Sequence, residues 1–269
     1  MMPIGDIAMH VLSSNVRKRH RRHRELRTKQ TVAREPYTKN IVFFTGAGIS
    51  AESGIATFRG ENGLWTDPKN RIFSQFQGVK TNLEGFLSFH NQRRREMCSV
   101  EASIAHRLIA DLQESHCVRV ITQNIDDLHE RAGSQHVVHL HGSILHMRPQ
   151  GYQSEKYRLP WLHDIKSGDR CPSTGAQLRP DIVLFGERVY DYYLAREWLC
   201  SADVLVVIGT SLLVEPAASL LCCVYPRADV FYINVELLPE DRLPLIGKQY
   251  VGTANAMMEL LYSQIKQPA

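Results

Sequence analysis

Ile41-Val42-Phe43-Phe44-Thr45-Gly46-Ala47-Gly48-Ile49-Ser50-Ala51 is the stretch that decides the fold. Its first five residues are β-branched or aromatic with no polar alternation, the pattern of a strand covered on both faces. A G-x-G-x-x-A turn follows at once. Glycine at its first two positions permits a tight turn and lets backbone N–H groups approach a pyrophosphate at a helix N-terminus. An ordinary glycine corner reads the same way, so the turn alone leaves both readings open. The acidic residue that should close a second strand ~20 residues later is missing, because Glu61 and Asp67 fall outside any strand pattern. That disfavours an ordinary dinucleotide-dependent dehydrogenase.

Working outward, residues 118–122, 137–140, 182–185, 204–208 and 230–233 read as further buried strands. Residues 102–112, 192–199, 216–223 and 254–265 have helical spacing. The alternation predicts an α/β fold with a doubly wound, parallel, Rossmann-like sheet. Two stretches fit that sheet poorly. Residues 61–97 are mixed, with a helix near 84–96, and residues 143–180 are polar and without period. Structureless runs of that length are unusual inside a domain, so both read as insertions that build a smaller second lobe. The expected division is a basic N-terminal extension, 1–35, and a folded domain, 36–269. Within the latter the large lobe is 36–60, 101–142 and 181–269, and the small lobe 61–100 and 143–180.

Composition bounds the rest. The chain has 269 residues, 43% hydrophobic and 22% charged, which excludes collagen-like, wholly disordered and disulfide-scaffold classes. Its net charge of +4 is uneven: residues 16–29 carry +7, leaving the remainder at −3. That segment could engage nucleic acid or an acidic partner nonspecifically, with strong salt dependence; a solubilising extension is the alternative. Six cysteines without a C-x-x-C pair suit a reducing, cytoplasmic setting. No apolar stretch reaches the ~18 residues of a membrane span, and the basic run follows the first twelve residues, the reverse of a signal peptide.

Six blocks carry the chemistry, in order: GAGISAESGIATFRGENGLW (46–65), TQNIDDLHERAG (122–133), HLHGS (139–143), LRPDIVLFGE (178–187), GTSLLVEPAA (209–218) and INVE (233–236). Together they resemble the sirtuin (Sir2) family of NAD-dependent protein deacylases. Within it they look most like the bacterial and mitochondrial class III type that removes succinyl and malonyl groups. The resemblance implies NAD as cofactor and acyl-lysine proteins as partners. It implies that Gly46, Ala47, Gly48, Glu52 and Trp65 belong to the nucleotide site, with Phe58 shielding its reactive face and Arg59 helping to hold the phosphates. It places Gln123 on the ribose and Asn124 and Asp126 around the nicotinamide, and counts Ile125 among the cofactor-binding residues. It adds Gly209, Thr210 and Ser211, sets Asn234, Val235 and Glu236 on the adenosine ribose, and puts Ala254 beside the adenine. His141 is then the general base, with Asn124 also catalytic, and Phe185-Gly186-Glu187 pairs with an extended acyl-lysine peptide by strand addition. The implied chemistry is attack of the acyl oxygen on the NAD ribose, loss of nicotinamide, activation of a ribose hydroxyl by His141, and release of lysine with O-acyl-ADP-ribose.

The residues also have readings of their own. Residues 123–126 follow a strand, at the carboxyl edge where open α/β sheets bind ligands; a polar loop with Asp126 or Asp127 as helix N-cap is the plainer alternative. A neutral imidazole such as His141 suits proton abstraction near pH 7. Gly209-Thr210-Ser211 offers small groups that permit close approach, or simply a capped loop. Asn234 and Glu236 alternate, so on a strand both face one side.

Two departures from the family pattern matter. Relatives of this kind carry four cysteines as a structural zinc site, and a tetrahedral site needs four donors. Here the first pair is absent from 147–151 and Cys171 alone remains of the second. His146, His163 and Asp169 have no defensible ligand spacing, so a lobe without zinc is expected. Desuccinylating relatives also have a Tyr-x-x-Arg pair, where this chain has His90 and Arg93. An arginine can bind a substrate carboxylate through two charge-assisted hydrogen bonds, and His90 would donate more strongly when protonated. Desuccinylation rising below about pH 6.5 is the expectation; a solvated basic helix face is the alternative. Other activities considered are mono-ADP-ribosyl transfer and NAD sensing with little turnover, the latter leaning on the basic extension.

Overall fold

The computed structural model describes residues 39–60, 63–238 and 246–266. The basic extension, and with it the partner expectation for residues 16–29, lies outside them. The described strands in chain order are β1 (Asn40–Thr45), β2 (Cys117–Thr122), β3 (Val137–His139), β4 (Gly142–Pro149), β5 (Leu159–Pro160), β6 (Leu178–Ile182), β7 (Val204–Ile208), β8 (Asp229–Asn234) and β9 (Lys248–Val251). Six of them form one parallel sheet in the order β3-β2-β1-β7-β8-β9.

The continuous apolar run of β1 follows from its central place. Val42 and Phe44 enter one core, with Leu205 and Val207 of β7, Ala195 and Leu199 of the helix Tyr192–Cys200, and Leu220 of the 3-10 turn Ala218–Cys223. Ile41 and Phe43 enter the other, with Val206, Ile109 of the helix Ile104–Asp111, and Met258 and Leu261 of the helix Ala254–Lys266. No polar position is left between. The chain runs outward from β1 to β3 and returns to β7 on β1's other side, so the strand order reverses between β1 and β7. Ligands of open α/β sheets bind at such a switch point, beyond the carboxyl ends of the strands.

A second, antiparallel sheet has the order β5-β4-β6. Its core joins Phe86, Leu87 and Met97 of the helix Leu83–Ser99 to Ile144, Met147, Ile165 and Leu178. Side-chain staples reinforce it. Asn91 exchanges two hydrogen bonds with the Ile165 backbone, at 2.9 and 3.0 Å, and Arg94 donates to the carbonyls of Ile144 and His163.

Three expectations change. Residues 182–185 are not a strand of the parallel sheet: the strand is β6, in the antiparallel sheet, and only Ile182 belongs to it. Residues 143–180, read as an aperiodic insertion of the smaller lobe, hold regular strands, because β4, β5 and β6 lie within or across them. In both cases polar residues hid the strands. Arg148, Arg179 and Asp181 are each 0% exposed, and they sit inside because they pair with one another and with Glu187. Finally, 216–223 is a 3-10 turn beginning at Ala218, and β9 is a strand that periodicity did not reveal.

Candidate active site

The carboxyl ends of β1, β7 and β8 are stitched together into the floor of a cleft of about 710 Å³. Gly46 N–H donates to Ile208 O at 3.0 Å, Gly48 N–H to Gly209 O at 2.8 Å, and Gly209 N–H to Ile233 O at 2.9 Å. The glycines are there for this closeness. A Cβ on Gly48 would lie 2.6 Å from Gly209 Cα, and one on Gly209, whose φ is +67°, would lie 2.4 Å from Ile49 N. Both sequence readings of the turn are therefore partly realised. The turn lines the cleft, but the N–H groups of Gly46 and Gly48 are committed to neighbouring strands. The segment after Gly46 is a 3-10 turn, Ala47–Ser53, rather than an α-helix.

Gln123 and Asn124 extend the floor from β2. Gln123 donates to Thr210 Oγ1 at 3.1 Å, and Asn124 Nδ2 to Gly46 O at 3.1 Å and Ser50 Oγ at 3.2 Å. Ser50 in turn donates to Asp126 Oδ2 at 3.1 Å, while Asp126 Oδ1 accepts the Leu128 N–H at 3.2 Å. Asp126 is thus absent from the cleft lining, and its side chain holds the N–H of Leu128, the first residue of the following helix, whose N-cap is Asp127. Burial raises its pKa, against the pull of the Leu128 and Ser50 hydrogen bonds. Ser50, 0% exposed, is the residue that sequence reasoning missed; its one signal was a hydroxyl inside an otherwise apolar turn. Ile125, Ser211, Val235 and Glu236 line the cleft. However, β8 stops at Asn234, so strand alternation does not relate Asn234 to Glu236. Asn234 Nδ2 donates to Tyr232 OH, whose proton goes to Thr210 O. Ala254 opens the last helix, and Glu52 beside it accepts Asn255 N–H at 2.7 Å.

His141 stands half-buried in the wall, its Nδ1 2.8 Å from Gln123 O. A carbonyl only accepts, so Nδ1 carries the proton and Nε2 keeps its lone pair. Burial lowers the pKa of His141, and the Gln123 carbonyl works against that shift. On the other side Phe58, Trp65 and Phe185 make an aromatic chain, with ring centroids 5.3 and 5.7 Å apart. The Arg59 guanidinium lies over Trp65 at 5.0 Å.

At the far end His90 and Arg93 project from the helix Leu83–Ser99 into the cleft lining. His90 Nε2 is 3.2 Å from Phe73 O, so it is the donor there, and Nδ1 is buried without a hydrogen-bond partner. Burial first, and then the charges of Arg179, Arg94 and Arg93, hold its pKa down to about 3 despite the Phe73 carbonyl. The expectation that His90 protonates near pH 6.5 is therefore corrected: it is a neutral ring. Arg93 is already engaged, with Nη1 2.8 Å from Glu96 Oε2. Phe185-Gly186-Glu187 is also more committed than expected. Phe185 N–H donates to Ser74 O, and Glu187 accepts from Arg148, Arg179 and the Leu184 N–H. Cys171 is buried in the small-lobe core, away from the cleft lining. Among the described residues no three His, Cys, Asp or Glu side chains group as metal ligands.

NAD fits this arrangement. The cleft has the volume of a ligand site, its glycine floor excludes side chains, and amides, a guanidinium and carboxylates are spread along it. The fold and site thus define a nucleotide-binding α/β protein whose cleft runs from the strand-order switch to a second lobe. Residues 46–216 match the model of the Sir2 family. A protein of Helicobacter pylori named NAD-dependent protein deacylase is 45% identical over 196 residues, covering 73% of this chain and 84% of its own length. One of the same name from Bacteroides thetaiotaomicron is 42% identical over 234 residues, covering 86% of this chain and all of its own. A solved complex of a Sir2 homologue with NAD superposes with a TM-score of 0.74 at 33% identity, covering 86% of this chain and 91% of that one. The chain belongs to the Sir2 family.

Proposed function

We infer that this protein is an NAD-dependent protein-lysine deacylase. The observation that carries the reading is His141 in the cleft lining, its Nδ1 on the Gln123 carbonyl so that Nε2 keeps its lone pair, in a cleft whose glycine floor and amides suit a dinucleotide. NAD, when bound, would supply the ribose carbon to which the acyl oxygen bonds as nicotinamide leaves. The protein's part is then positional and protolytic. Nε2 of His141 takes the proton of a ribose hydroxyl, the Gln123 carbonyl fixes the ring for that task, and the Asn124 amide, tied to Gly46 O and Ser50, presents a rigid polar edge. Phe58, Trp65 and Phe185 exclude water from the acyl-lysine side. Arg59 and the backbone N–H groups not used by the strands serve the phosphates.

The site assignments Gly46, Ala47, Gly48, Glu52, Phe58, Arg59, Trp65, Gln123 to Asp126, Gly209 to Ser211, Asn234 to Glu236 and Ala254 belong to this proposal, as do the catalytic domain 36–269 and its two lobes. A cytoplasmic setting rests on cysteine usage; among the described residues no helix is long and apolar enough to cross a membrane. The test is an acetyl-lysine peptide with NAD, following nicotinamide and O-acetyl-ADP-ribose together. Both appear in equal amounts with the native chain, and His141→Ala lowers the rate by about 10²–10⁴. ADP-ribose attached to protein, without acyl-dependent product, would replace this reading with mono-ADP-ribosyl transfer.

A further inference from the structure

We propose that Glu96 sets the acyl selectivity of this cleft by holding Arg93 in an internal ion pair, so that neutral acyl groups such as acetyl are favoured over dicarboxylic ones such as succinyl. The proposal rests on the deacylase reading and names its substrate class. His90, Arg93 and Glu96 follow one another at three-residue steps on the helix Leu83–Ser99, so Arg93 has His90 as a neighbour one turn before it and Glu96 one turn after. The Arg93 side chain is 7% exposed and that of Glu96 44%, so the pair straddles the boundary between cleft and solvent.

Both carboxylate oxygens of Glu96 are held. Oε2 is 2.8 Å from Arg93 Nη1, and Oε1 accepts from Gln92 Nε2 at 2.9 Å. The second Arg93 nitrogen, Nη2, reaches Ala56 O at 3.4 Å. Beside it His90 gives a carboxylate nothing, since its one N–H is on Phe73 O and its other nitrogen is a lone pair. A dicarboxylic acyl end arriving at Arg93 must therefore displace Glu96 or share one guanidinium with it, with two negative charges in close contact. A methyl-terminated acyl chain asks nothing of Arg93. Arg93 lines the cleft and Glu96 does not, so Glu96 is a positioning residue that acts through Arg93.

The experiment compares acetyl- and succinyl-lysine peptides of one sequence, labelled for fluorescence anisotropy, binding the full chain without NAD. Turnover with NAD is then measured on the same pair. Glu96→Gln raises the affinity for the succinyl peptide relative to the acetyl peptide about fivefold, the scale of a partly exposed ion pair, and kcat/KM moves the same way. Glu96→Asp, which keeps the charge, leaves the ratio near that of the native chain. Adding Arg93→Met to Glu96→Gln abolishes the gain. A succinyl-to-acetyl ratio that Glu96→Gln does not move, or a gain that survives Arg93→Met, overturns the role of Glu96. If the native chain turns over no acyl peptide at all, the deacylase reading falls and this inference with it.

Discussion

The Nδ1–H of His141 is spent on the Gln123 carbonyl, which leaves one ring nitrogen for chemistry and makes the ring's charge state the rate-controlling variable on the acid side. Only the neutral ring can accept a proton. Burial favours that neutral form by lowering the pKa beneath its ordinary 6.5, so the base stays competent as pH falls through 6.5 and is lost only below the lowered value. The acid limb of kcat/KM against pH is accordingly expected below 6.5, falling about tenfold per unit; a limb centred above 6.5 would contradict the assignment. His90 contributes nothing to that limb, since its pKa near 3 keeps it neutral throughout. His139 is the contrast. Burial lowers its pKa, but Glu130 at 2.7 Å and the Asn124 carbonyl outweigh burial and raise it, favouring the charged form. Three histidines thus have three settings, and nothing in H-L-H or F-H-N shows which is which.

Among the elements, the turn after β1 and the turn after β7 are one construction, and Gly209 is its tightest point. Gly209→Ala faces two penalties: a left-handed φ, costing roughly 1–2 kcal/mol, and a Cβ 2.4 Å from Ile49 N, so backbone must move. Gly151 has φ +84° with open space around its missing Cβ, so Gly151→Ala carries the first penalty alone. Urea unfolding is expected to rank Gly209→Ala clearly below Gly151→Ala, and only the former should weaken NAD binding. Equal midpoints would show that the turn yields. β1 was legible because the side chains of residues 41–44 all enter apolar cores, so four residues in a row carried one message. β6 was not, because Arg179 and Asp181 look like solvent-facing residues until Arg148, Arg158 and Glu187 are placed beside them. Those partners lie on other elements, and burial of charge by mutual pairing leaves no period in any one segment.

The large lobe follows from local pattern, the small lobe from long-range pairing. Without four cysteines, the small lobe is held by the Asn91 and Arg94 staples on the backbone at 144 and 163–165, and by the ion pairs around Asp181 and Glu187. A chelator is therefore expected to leave the thermal midpoint and the acetyl-peptide rate unchanged, and elemental analysis to find no stoichiometric zinc. One zinc per chain, with a midpoint that drops on chelation, would defeat this. The cleft itself was legible in the sequence as six blocks, yet the hydroxyl of Ser50 and the carboxylate of Glu96 were not, since each acts through another residue: Ser50 through Asn124 and Asp126, Glu96 through Arg93. The stitched floor has a thermodynamic consequence. Backbone from β1, β7 and β8, with amides from β2, is already fixed by hydrogen bonds among Gly46, Gly48, Gly209, Thr210, Gln123 and Asn124. The entropy lost in ordering that surface is settled when the chain folds, so a dinucleotide landing there gives up its own freedom and little of the protein's.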